Sequence, residues 1–345
     1  MDSSSAVPIL EVRDLATYLR TRSGTVKAVD GVSFSLMPGE TLGIVGESGS
    51  GKSMMALSIM GLLPEPVGEV VRGEILFNGV DLLTKSRSEM QRIRGRAISM
   101  IPQDPMTSLD PMFTVGDQLM EVLRMPKAHE TRPSDRKGRA VDLFRRVKIP
   151  SPELRLPSYP HQMSGGMRQR VVGAISIAGA PSVLIADEPT TSLDPTIQYQ
   201  YLSLLKEIQR ETGLSIIFIT HDFGILAFMC DRAAVMYAGR IVEMGTVQEL
   251  FDEPSHPYTD ALMRSLPAID ADVEFLYSIE GQPPALDALP PGCRFAARCP
   301  LADERCRAEY PPYFVKSFDG GVGRHHIAAC WRREETWHRT AAPSP

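Results

Sequence analysis

The sequence predicts an α/β protein with an antiparallel β segment, an inserted helical segment and a small cysteine-rich C-terminal extension. Three observations support this fold class. The apolar run at residues 41–45 is followed by a glycine-rich loop and then by a helix-like stretch. Further apolar runs at 97–101 and 182–186 end in polar residues, as the strands of open α/β sheets do. Helical periodicity replaces these strand patterns from Val115 to about Ala180.

Length and composition narrow the class of protein. With 345 residues, of which 43% are hydrophobic, the chain is long enough for about two domains with packed cores. The first residues form neither a basic nor an apolar segment, and no run approaches the roughly 18 apolar residues of a membrane span. We therefore expect a cytoplasmic protein. The net charge of −5 argues against a non-specific nucleic-acid binder, so no nucleic acid is expected among its partners.

Two alternating stretches precede the glycine-rich loop. Residues 9–15 and 29–36 alternate between apolar and polar side chains, which predicts a pair of antiparallel strands. Tyr18 lies between them, close to a polar turn at 21–24. Two interpretations of Tyr18 are about equally supported: it stacks on an adenine, or it is a strand aromatic on a half-buried face.

The glycine-rich loop has the spacing of a phosphate-binding loop. The pattern G-x-x-x-x-G-K-S curls backbone N–H groups around an anion at the positive end of a helix dipole. Lys52 is expected to reach the terminal phosphates, and the Ser53 hydroxyl to bind a Mg²⁺ that bridges them. This phosphate loop consists of Gly46, Glu47, Ser48, Gly49, Ser50, Gly51, Lys52 and Ser53.

A glutamine follows the next buried strand. Gln103 comes two residues after the run at 97–101, at the sheet edge where the ligands of open α/β folds collect. It is therefore a candidate to contact Mg²⁺ or the attacking water.

The inserted helical segment ends in a second glycine-containing turn that opens a helix. The segment also contains a polar, proline-bearing loop at 126–139. A serine cap followed by glycines leaves N–H groups available to an anion. One nucleotide cannot easily contact both this loop and the phosphate loop of the same chain, so we predict a dimer in which the loop contacts the partner's nucleotide. This second loop consists of Ser164, Gly165, Gly166 and Met167.

Polar residues follow two further apolar strands. The strand at 182–186 runs into Asp187, predicted on the Mg²⁺ side, and Glu188, predicted to polarise a water for attack on the γ-phosphate. His221 follows the strand at 214–220, where it either contacts the γ-phosphate or is structural.

Four of the five cysteines lie near the C-terminal end, after a proline-rich stretch that is expected to be a linker wrapping the preceding domain. In a reducing compartment this grouping indicates a metal rather than disulfides, either tetrahedral zinc or an iron–sulfur cluster. The tight C-x2-C pairs of zinc ribbons are absent. The group consists of Cys293, Cys299, Cys306 and Cys330, separated by 5, 6 and 23 residues.

Taken together, these motifs resemble those of the ATP-binding subunit of an ABC transporter over residues 9 to about 250. The stretches 103–111 and 256–259, and above all the cysteines, resemble its dipeptide and oligopeptide importer branch. The phosphate loop matches the Walker A motif, and residues 183–188 match Walker B. Gln103 matches the Q-loop, and His221 matches the switch histidine. Residues 163–167 match the signature motif, with Met167 in place of glutamine, and residues 192–194, which include Asp194, match the D-loop.

The resemblance implies a P-loop ABC ATPase cassette with a RecA-like α/β core, an antiparallel β subdomain and an inserted helical subdomain. The implied nucleotide-binding domain covers 8–265, with its helical subdomain at about 105–180, and the cysteine-bearing extension covers 266–335. The implied activity is ATP hydrolysis that powers import of peptides or a related small solute. The implied roles are catalytic for Glu188, His221 and Gln103, and Mg²⁺-binding for Ser53, Gln103 and Asp187.

The resemblance also implies partners and cofactors. The chain is expected to pair with a homologous second ATPase on two membrane permeases, at the cytoplasmic face of the inner membrane, and indirectly with a periplasmic or extracellular solute-binding protein. ATP, Mg²⁺ and a [4Fe-4S] cluster are the implied cofactors, with zinc as the alternative to the cluster. A soluble ABC ATPase acting on nucleic acid or ribosomes is the alternative function. The single cassette, without an internal repeat or heptad run, disfavours it.

Overall fold

The computed structural model describes residues 7–125, 135–191, 193–266, 277–316 and 325–333. Ser192 of the predicted D-loop, most of the predicted loop at 126–139 and parts of the predicted extension lie outside these residues. The chain divides into two compact units. The first contains the described residues up to 37, those at 41–83 and those from 220 onward, and the second contains 38–40 and 84–219.

Helices and strands both occur throughout the described residues. In the described residues, no helix is both long and apolar enough to cross a membrane. The strands are β1 (Leu10–Thr21), β2 (Gly24–Leu36), β3 (Thr41–Val45), β4 (Gly68–Phe77), β5 (Val80–Asp81), β6 (Ile98–Ile101), β7 (Val183–Asp187), β8 (Ser215–Thr220), β9 (Arg232–Tyr237), β10 (Arg240–Thr246), β11 (Phe314–Lys316) and β12 (His326–Ala328). The helices are α1 (Lys52–Met60), α2 (Arg87–Ile93), α3 (Pro105–Ser108), α4 (Val115–Arg124), α5 (Arg136–Arg146), α6 (Pro152–Arg155), α7 (Gly165–Ala178), α8 (Pro195–Thr212), α9 (Phe223–Met229), α10 (Val247–Asp252), α11 (Pro257–Arg264) and α12 (Glu304–Ala308).

The first unit opens with the predicted antiparallel pair of strands. β1 pairs with β2 and, on its other side, with β4. Both strands extend well beyond the predicted stretches. Register shifts after Val12 and after Thr17 interrupt the pairing of β1 with β2. Because each shift breaks the period-two alternation, the pattern fades in the sequence although the strand continues.

β3 is buried along its whole length and leads directly into the phosphate loop. Its parallel neighbour is β9, with Val45 opposite Val235, and β9 pairs antiparallel with β10. Sequence analysis did not predict β9 or β10, because β9 contains Ala233 and Ala234 and β10 contains Glu243 and Gly245, residue types that strands disfavour. Val45 belongs to an apolar core that also contains Tyr258 and Phe295. The strand before the phosphate loop is therefore packed against residues from the C-terminal part of the chain.

In the second unit, three parallel strands bring their carboxyl ends to one edge. β7 lies between β6 and β8, with Ala186 opposite both Ile101 and Phe218. α4, α5 and α7 pack against one another beside these strands. Of the apolar residues that predicted α4, Val115, Leu119 and Leu123 are buried, as the helical periodicity required.

The described parts of the extension belong to the first unit. β12 pairs antiparallel with β10, and β11 pairs with β12. Three-residue strands are too short to show a period, so the sequence did not predict them. The proline-rich stretch touches β2, where the Lys27 N–H donates to the Leu286 carbonyl over 2.9 Å. This contact agrees with the expectation of a linker that wraps the preceding domain.

Candidate functional site

The shape of the phosphate loop depends on glycines at two positions. Gly46 has φ 157° and Gly51 has φ 104°. A Cβ atom at Gly46 would lie 2.1 Å from the Met236 carbonyl oxygen, and one at Gly51 would lie 2.1 Å from the Ala28 carbonyl oxygen. Both glycines therefore permit a close approach of backbones that no side chain would tolerate.

The Lys52 side chain is hydrogen-bonded to the backbone at the start of the loop. It is the first residue of α1, and its Nζ donates to the carbonyls of Gly46 at 2.7 Å and Glu47 at 3.0 Å. Its side chain is only 5% exposed. A Cβ at Gly49 would meet nothing within 4 Å, so the outer side of the loop is open. α1 begins at this loop, so the positive end of its dipole favours an anion beside the loop.

Glu47 connects the loop to the extension, which sequence analysis did not foresee. Arg298 donates to both carboxylate oxygens of Glu47, at 2.9 and 3.1 Å. The backbone N–H of Glu47 donates to the Tyr258 hydroxyl over 3.0 Å. Nothing in the sequence around Arg298, which precedes a cysteine, or around Tyr258, which lies in a helix, indicates a contact with a distant loop. Neither contact with the loop was therefore predicted.

Tyr18, the candidate adenine-stacking residue, is part of a second polar contact with the extension. Its hydroxyl donates to Asp30 over 2.9 Å. Asp30 also accepts hydrogen bonds from Arg240, at 3.3 Å, and from Arg294. Burial opposes ionisation of Asp30, but the Tyr18 hydrogen bond and the charges of Arg294 and Arg240 outweigh it and lower the pKa of Asp30. The Lys27 ammonium lies 5.7 Å from the centre of the Tyr18 ring.

Gln103 and Glu188, both predicted from strand ends, lie together in the second unit. Gln103 Nε2 donates to Glu188 Oε2 over 3.3 Å, and the Thr191 hydroxyl donates to the same oxygen over 3.1 Å. Asp187, the last residue of β7, is 2% exposed, whereas Glu188 is half-buried. The parallel strands thus bring an amide and a carboxylate to one edge, where they can align a water molecule.

Glu188 has an unusual backbone conformation. Its φ is 44°, in the left-handed region, although it is not glycine. Its N–H donates to the Ile219 carbonyl over 3.0 Å, which holds the turn against the neighbouring strand. Strained residues of this kind are common at functional sites because the surrounding structure must hold them in place.

The second loop lies at the start of α7, as predicted. Ser164 caps this helix, and its hydroxyl oxygen accepts a hydrogen bond from the Met167 N–H over 3.3 Å. Ser164 and Gly165 are exposed, and Gly166 and Met167 are half-buried. Asp194 caps α8 in the same way, accepting from the Ile197 N–H over 3.0 Å. His221 is exposed and follows β8.

All four predicted cysteines line one small cavity of about 10 Å³. Burial, together with the neighbouring thiols of Cys299 and Cys306, raises the pKa of Cys293 to about 11. Burial likewise raises the pKa values of Cys306 and Cys330. Within the described ranges, no group of three or more His, Cys, Asp or Glu side chains has the geometry to hold a metal ion. The four thiols are a suitable donor set for a metal, but their arrangement among the described residues does not form a metal site.

The sequence matches two protein families. The family described as "ABC transporter" matches residues 29–191, and the one described as "Oligopeptide/dipeptide transporter, C-terminal region" matches residues 242–306. Two curated proteins of Bacillus subtilis (strain 168) are similar over most of their length. The dipeptide transport ATP-binding protein DppD is 49% identical, over 95% of this chain and 95% of its own. The oligopeptide transport ATP-binding protein OppD is 52% identical, over 90% of this chain and 86% of its own.

Solved structures share the fold. CbiO1 from Clostridium perfringens, described as part of the ABC transporter complex cbiONQ, is 30% identical with a TM-score of 0.60 and covers 71% of this chain and 91% of its own. A dimer of the ATP-binding cassette MJ0796 bound to ADP and Pi is 24% identical with a TM-score of 0.62 and covers 69% of this chain and 98% of its own. These similarities confirm the predicted fold class of the cassette.

Proposed function

Because this chain belongs to the ATP-binding subunits of ABC transporters, in the dipeptide and oligopeptide importer family, we propose that it hydrolyses ATP to power peptide import. The observation that carries the proposal is the phosphate loop, which is closed around a buried Lys52 at the start of α1. The loop binds the β- and γ-phosphates through its N–H groups, and nucleotide binding exchanges carbonyl contacts of Lys52 for phosphate contacts. Tyr18 stacks on the adenine.

The residues of the hydrolytic site divide into Mg²⁺ ligands and groups that act on water. Ser53, Gln103 and Asp187 supply a hydroxyl, an amide and a carboxylate oxygen, which is the donor set that Mg²⁺ prefers. When bound, Mg²⁺ neutralises charge on the β- and γ-phosphates. Glu188 accepts a hydrogen bond from the attacking water and orients it, and His221 contacts the γ-phosphate. Gln103 connects the two groups, because its amide nitrogen donates to the Glu188 carboxylate.

The second loop acts in trans, on the nucleotide of a homologous ATPase. Ser164 and Gly165 are exposed, and a Cβ at Gly165 would meet nothing within 4 Å. Free backbone N–H groups at the start of a helix of 14 residues suit the γ-phosphate of a partner's ATP. Asp194 lies at the start of α8, where it faces the same interface.

The chain works at the cytoplasmic face of the membrane, on two permease subunits. Met112 and Phe113 are 78% and 56% exposed, directly after the stretch 103–111 that resembles the importer branch. Exposed large apolar side chains mark interaction surfaces. We therefore expect them to pack on a cytoplasmic helix of a permease. A solute-binding protein outside the membrane delivers the peptide.

The four cysteines hold one [4Fe-4S] cluster. The support is that all four line a single apolar cavity, in a proline-rich segment too small to build a large core of its own. Four thiolates also suit zinc.

The function is tested by purifying the chain with its partner subunits from membranes and reconstituting the complex in vesicles. Peptide with the solute-binding protein should stimulate ATP hydrolysis and drive labelled peptide across the vesicle membrane. Lys52→Ala should abolish both, because it removes the cation that contacts the phosphates. Co-purification with ribosomes or DNA in place of permeases would contradict the proposal.

The cluster is tested by anaerobic purification. Iron and sulfide at about four atoms each per chain, with broad absorbance near roughly 400 nm, are expected. Cys306→Ser should remove both, whereas the control Cys230→Ser should keep them, because Cys230 does not line the cavity. Stoichiometric zinc without iron would contradict the cluster and leave a zinc site.

A further inference from the structure

We propose that Arg298 is a positioning residue that holds the phosphate loop in its nucleotide-binding shape by clamping Glu47. The proposal rests on ATP binding by this loop. It concerns a residue from the cysteine-bearing segment, outside every nucleotide motif.

The clamp is bidentate. Nη1 of Arg298 donates to Glu47 Oε2 at 2.9 Å, and Nη2 donates to Oε1 at 3.1 Å. The Arg298 side chain is 6% exposed and that of Glu47 is 27% exposed. Salt screens such a partly buried, planar pair much less than an ion pair on the surface.

Further hydrogen bonds fix the orientation of the Arg298 guanidinium. Its Nε donates to the Glu280 carbonyl at 3.1 Å, and Nη2 also donates to the Ile279 carbonyl at 3.3 Å. Nη1 also donates to the Tyr237 hydroxyl at 3.3 Å. The guanidinium plane therefore has one orientation, and the clamp costs little further conformational entropy.

Each polar group of Glu47 has a partner, which transmits the clamp to the backbone of the loop. Its N–H donates to the Tyr258 hydroxyl at 3.0 Å. Its carbonyl accepts from Lys52 Nζ at 3.0 Å and from the Ser50 N–H at 3.2 Å. Because the N–H groups of a phosphate loop bind by their direction, fixing this residue fixes the loop's affinity for phosphate.

The clamp also reduces the electrostatic repulsion between Glu47 and a bound polyphosphate. Glu47 places a carboxylate in a loop that must receive a polyphosphate, and two anions at this range repel each other. The Arg298 guanidinium neutralises that carboxylate. Removing Arg298 alone should therefore be worse for ATP binding than removing both charges.

The clamp links the loop to the cysteine-bearing segment. Arg298 immediately precedes Cys299, and Phe295 packs on Tyr258 with ring centres 5.3 Å apart. Glu47 is thus supported by Arg298 directly and by Phe295 through Tyr258. A change in the conformation of residues 293–299 would reach the phosphate loop by these two contacts.

The test measures ATP affinity of the full-length chain by equilibrium binding without Mg²⁺, so that hydrolysis does not interfere. Arg298→Gln should weaken ATP binding about 10-fold, an effect of the size expected for one uncompensated charge at a binding site. Turnover at saturating ATP in the assembled complex should change less than about 2-fold, because Arg298 lies outside the hydrolytic groups. In Arg298→Gln, the KM for ATP should therefore rise, whereas kcat should stay near the parental value.

A double substitution separates positioning from general damage. Glu47→Gln alone should weaken ATP binding less than Arg298→Gln does, because it breaks the clamp but leaves no uncompensated negative charge in the loop, and Arg298→Gln with Glu47→Gln should bind ATP as Glu47→Gln does. If Arg298 were merely structural, the double variant would bind as weakly as Arg298→Gln. That outcome would overturn the electrostatic role.

The control is Arg146→Gln, which breaks an exposed ion pair with Glu211 and should leave ATP affinity unchanged. If Arg298→Gln fails to fold, Arg298→Lys keeps the charge without the fork and should weaken binding about 3-fold. Parental affinity in the folded Arg298 variants would refute the clamp. A parental chain that does not bind ATP would instead refute the proposed function.

Discussion

Replacing Glu188 by glutamine tests the proposed hydrolytic site most directly. Glu188 Oε2 accepts hydrogen bonds from Gln103 at 3.3 Å and from Thr191 at 3.1 Å. A glutamine carries a carboxamide oxygen of similar size in the same position, so both donors keep an acceptor. The change removes only the negative charge that orients and polarises the attacking water.

The expected loss of ATP hydrolysis in Glu188→Gln is large, whereas the expected change in stability is small. A positioned general base contributes about 10²–10⁴-fold to a rate, which corresponds to about 3–5 kcal/mol of transition-state free energy. The free energy of unfolding should change by less than about 1 kcal/mol, because the side chain is half-buried and keeps its hydrogen bonds. ATP affinity should stay near the parental value.

The assay is release of inorganic phosphate at saturating ATP, with ATP affinity measured in parallel on the same preparation. Thr191→Val removes one of the two donors to Glu188 and should lower the rate by about 10-fold, a smaller loss than in Glu188→Gln. Glu207→Gln, at an exposed ion pair with Lys148, is the matched control and should hydrolyse ATP normally. Parental hydrolysis in Glu188→Gln would refute the role of this carboxylate.

Three further predictions concern other parts of the site. Gly51→Ala should abolish ATP binding and lower the thermal midpoint, since its Cβ would lie 2.1 Å from the Ala28 carbonyl oxygen and its φ of 104° costs about 1–3 kcal/mol in any other residue. Parental ATP affinity in Gly51→Ala would contradict this. Ser164→Arg should impair hydrolysis at the partner's phosphate loop in a mixed complex while ATP still binds at Lys52; lost binding at Lys52 would contradict action in trans. Asp30→Asn should lower the thermal midpoint at pH 7 because it leaves Arg294 buried without its carboxylate partner. The folded-state pKa of Asp30 lies below its ordinary value of about 3.9. The parental chain should therefore have the higher thermal midpoint above that pH, and the difference should vanish as the pH falls through the folded-state pKa. A difference in thermal midpoint that persists in strong acid would show that the Asp30 carboxylate is not its cause.

The sequence by itself determined the cassette and its nucleotide motifs. The phosphate loop, the second loop and the strand that ends in Asp187 are each contiguous in the chain, and their requirements are local. A backbone that must approach another at Gly46 and Gly51 requires glycine, and a helix that begins at a cap requires a residue such as Ser164. Such requirements fix residue types at set intervals along the chain, so they can be found from a single sequence. The short strands β11 and β12 carried no period and were missed.

Only the tertiary structure decided which distant side chains meet. Arg298 and Glu47 are 251 positions apart, and Arg294 and Asp30 are 264 apart. The buried Glu243 accepts from the N–H groups of Ser255 and His256 and lies 2.6 Å from the ring of His326, whose strand was not predicted. Ion pairs and buried hydrogen bonds depend on position in space, because an arginine serves any carboxylate that the fold brings within reach, and no local pattern records which one that is. The cysteines lie between these cases: their grouping is visible in the chain, whereas the cavity that they share exists only because the extension folds onto the first unit's core.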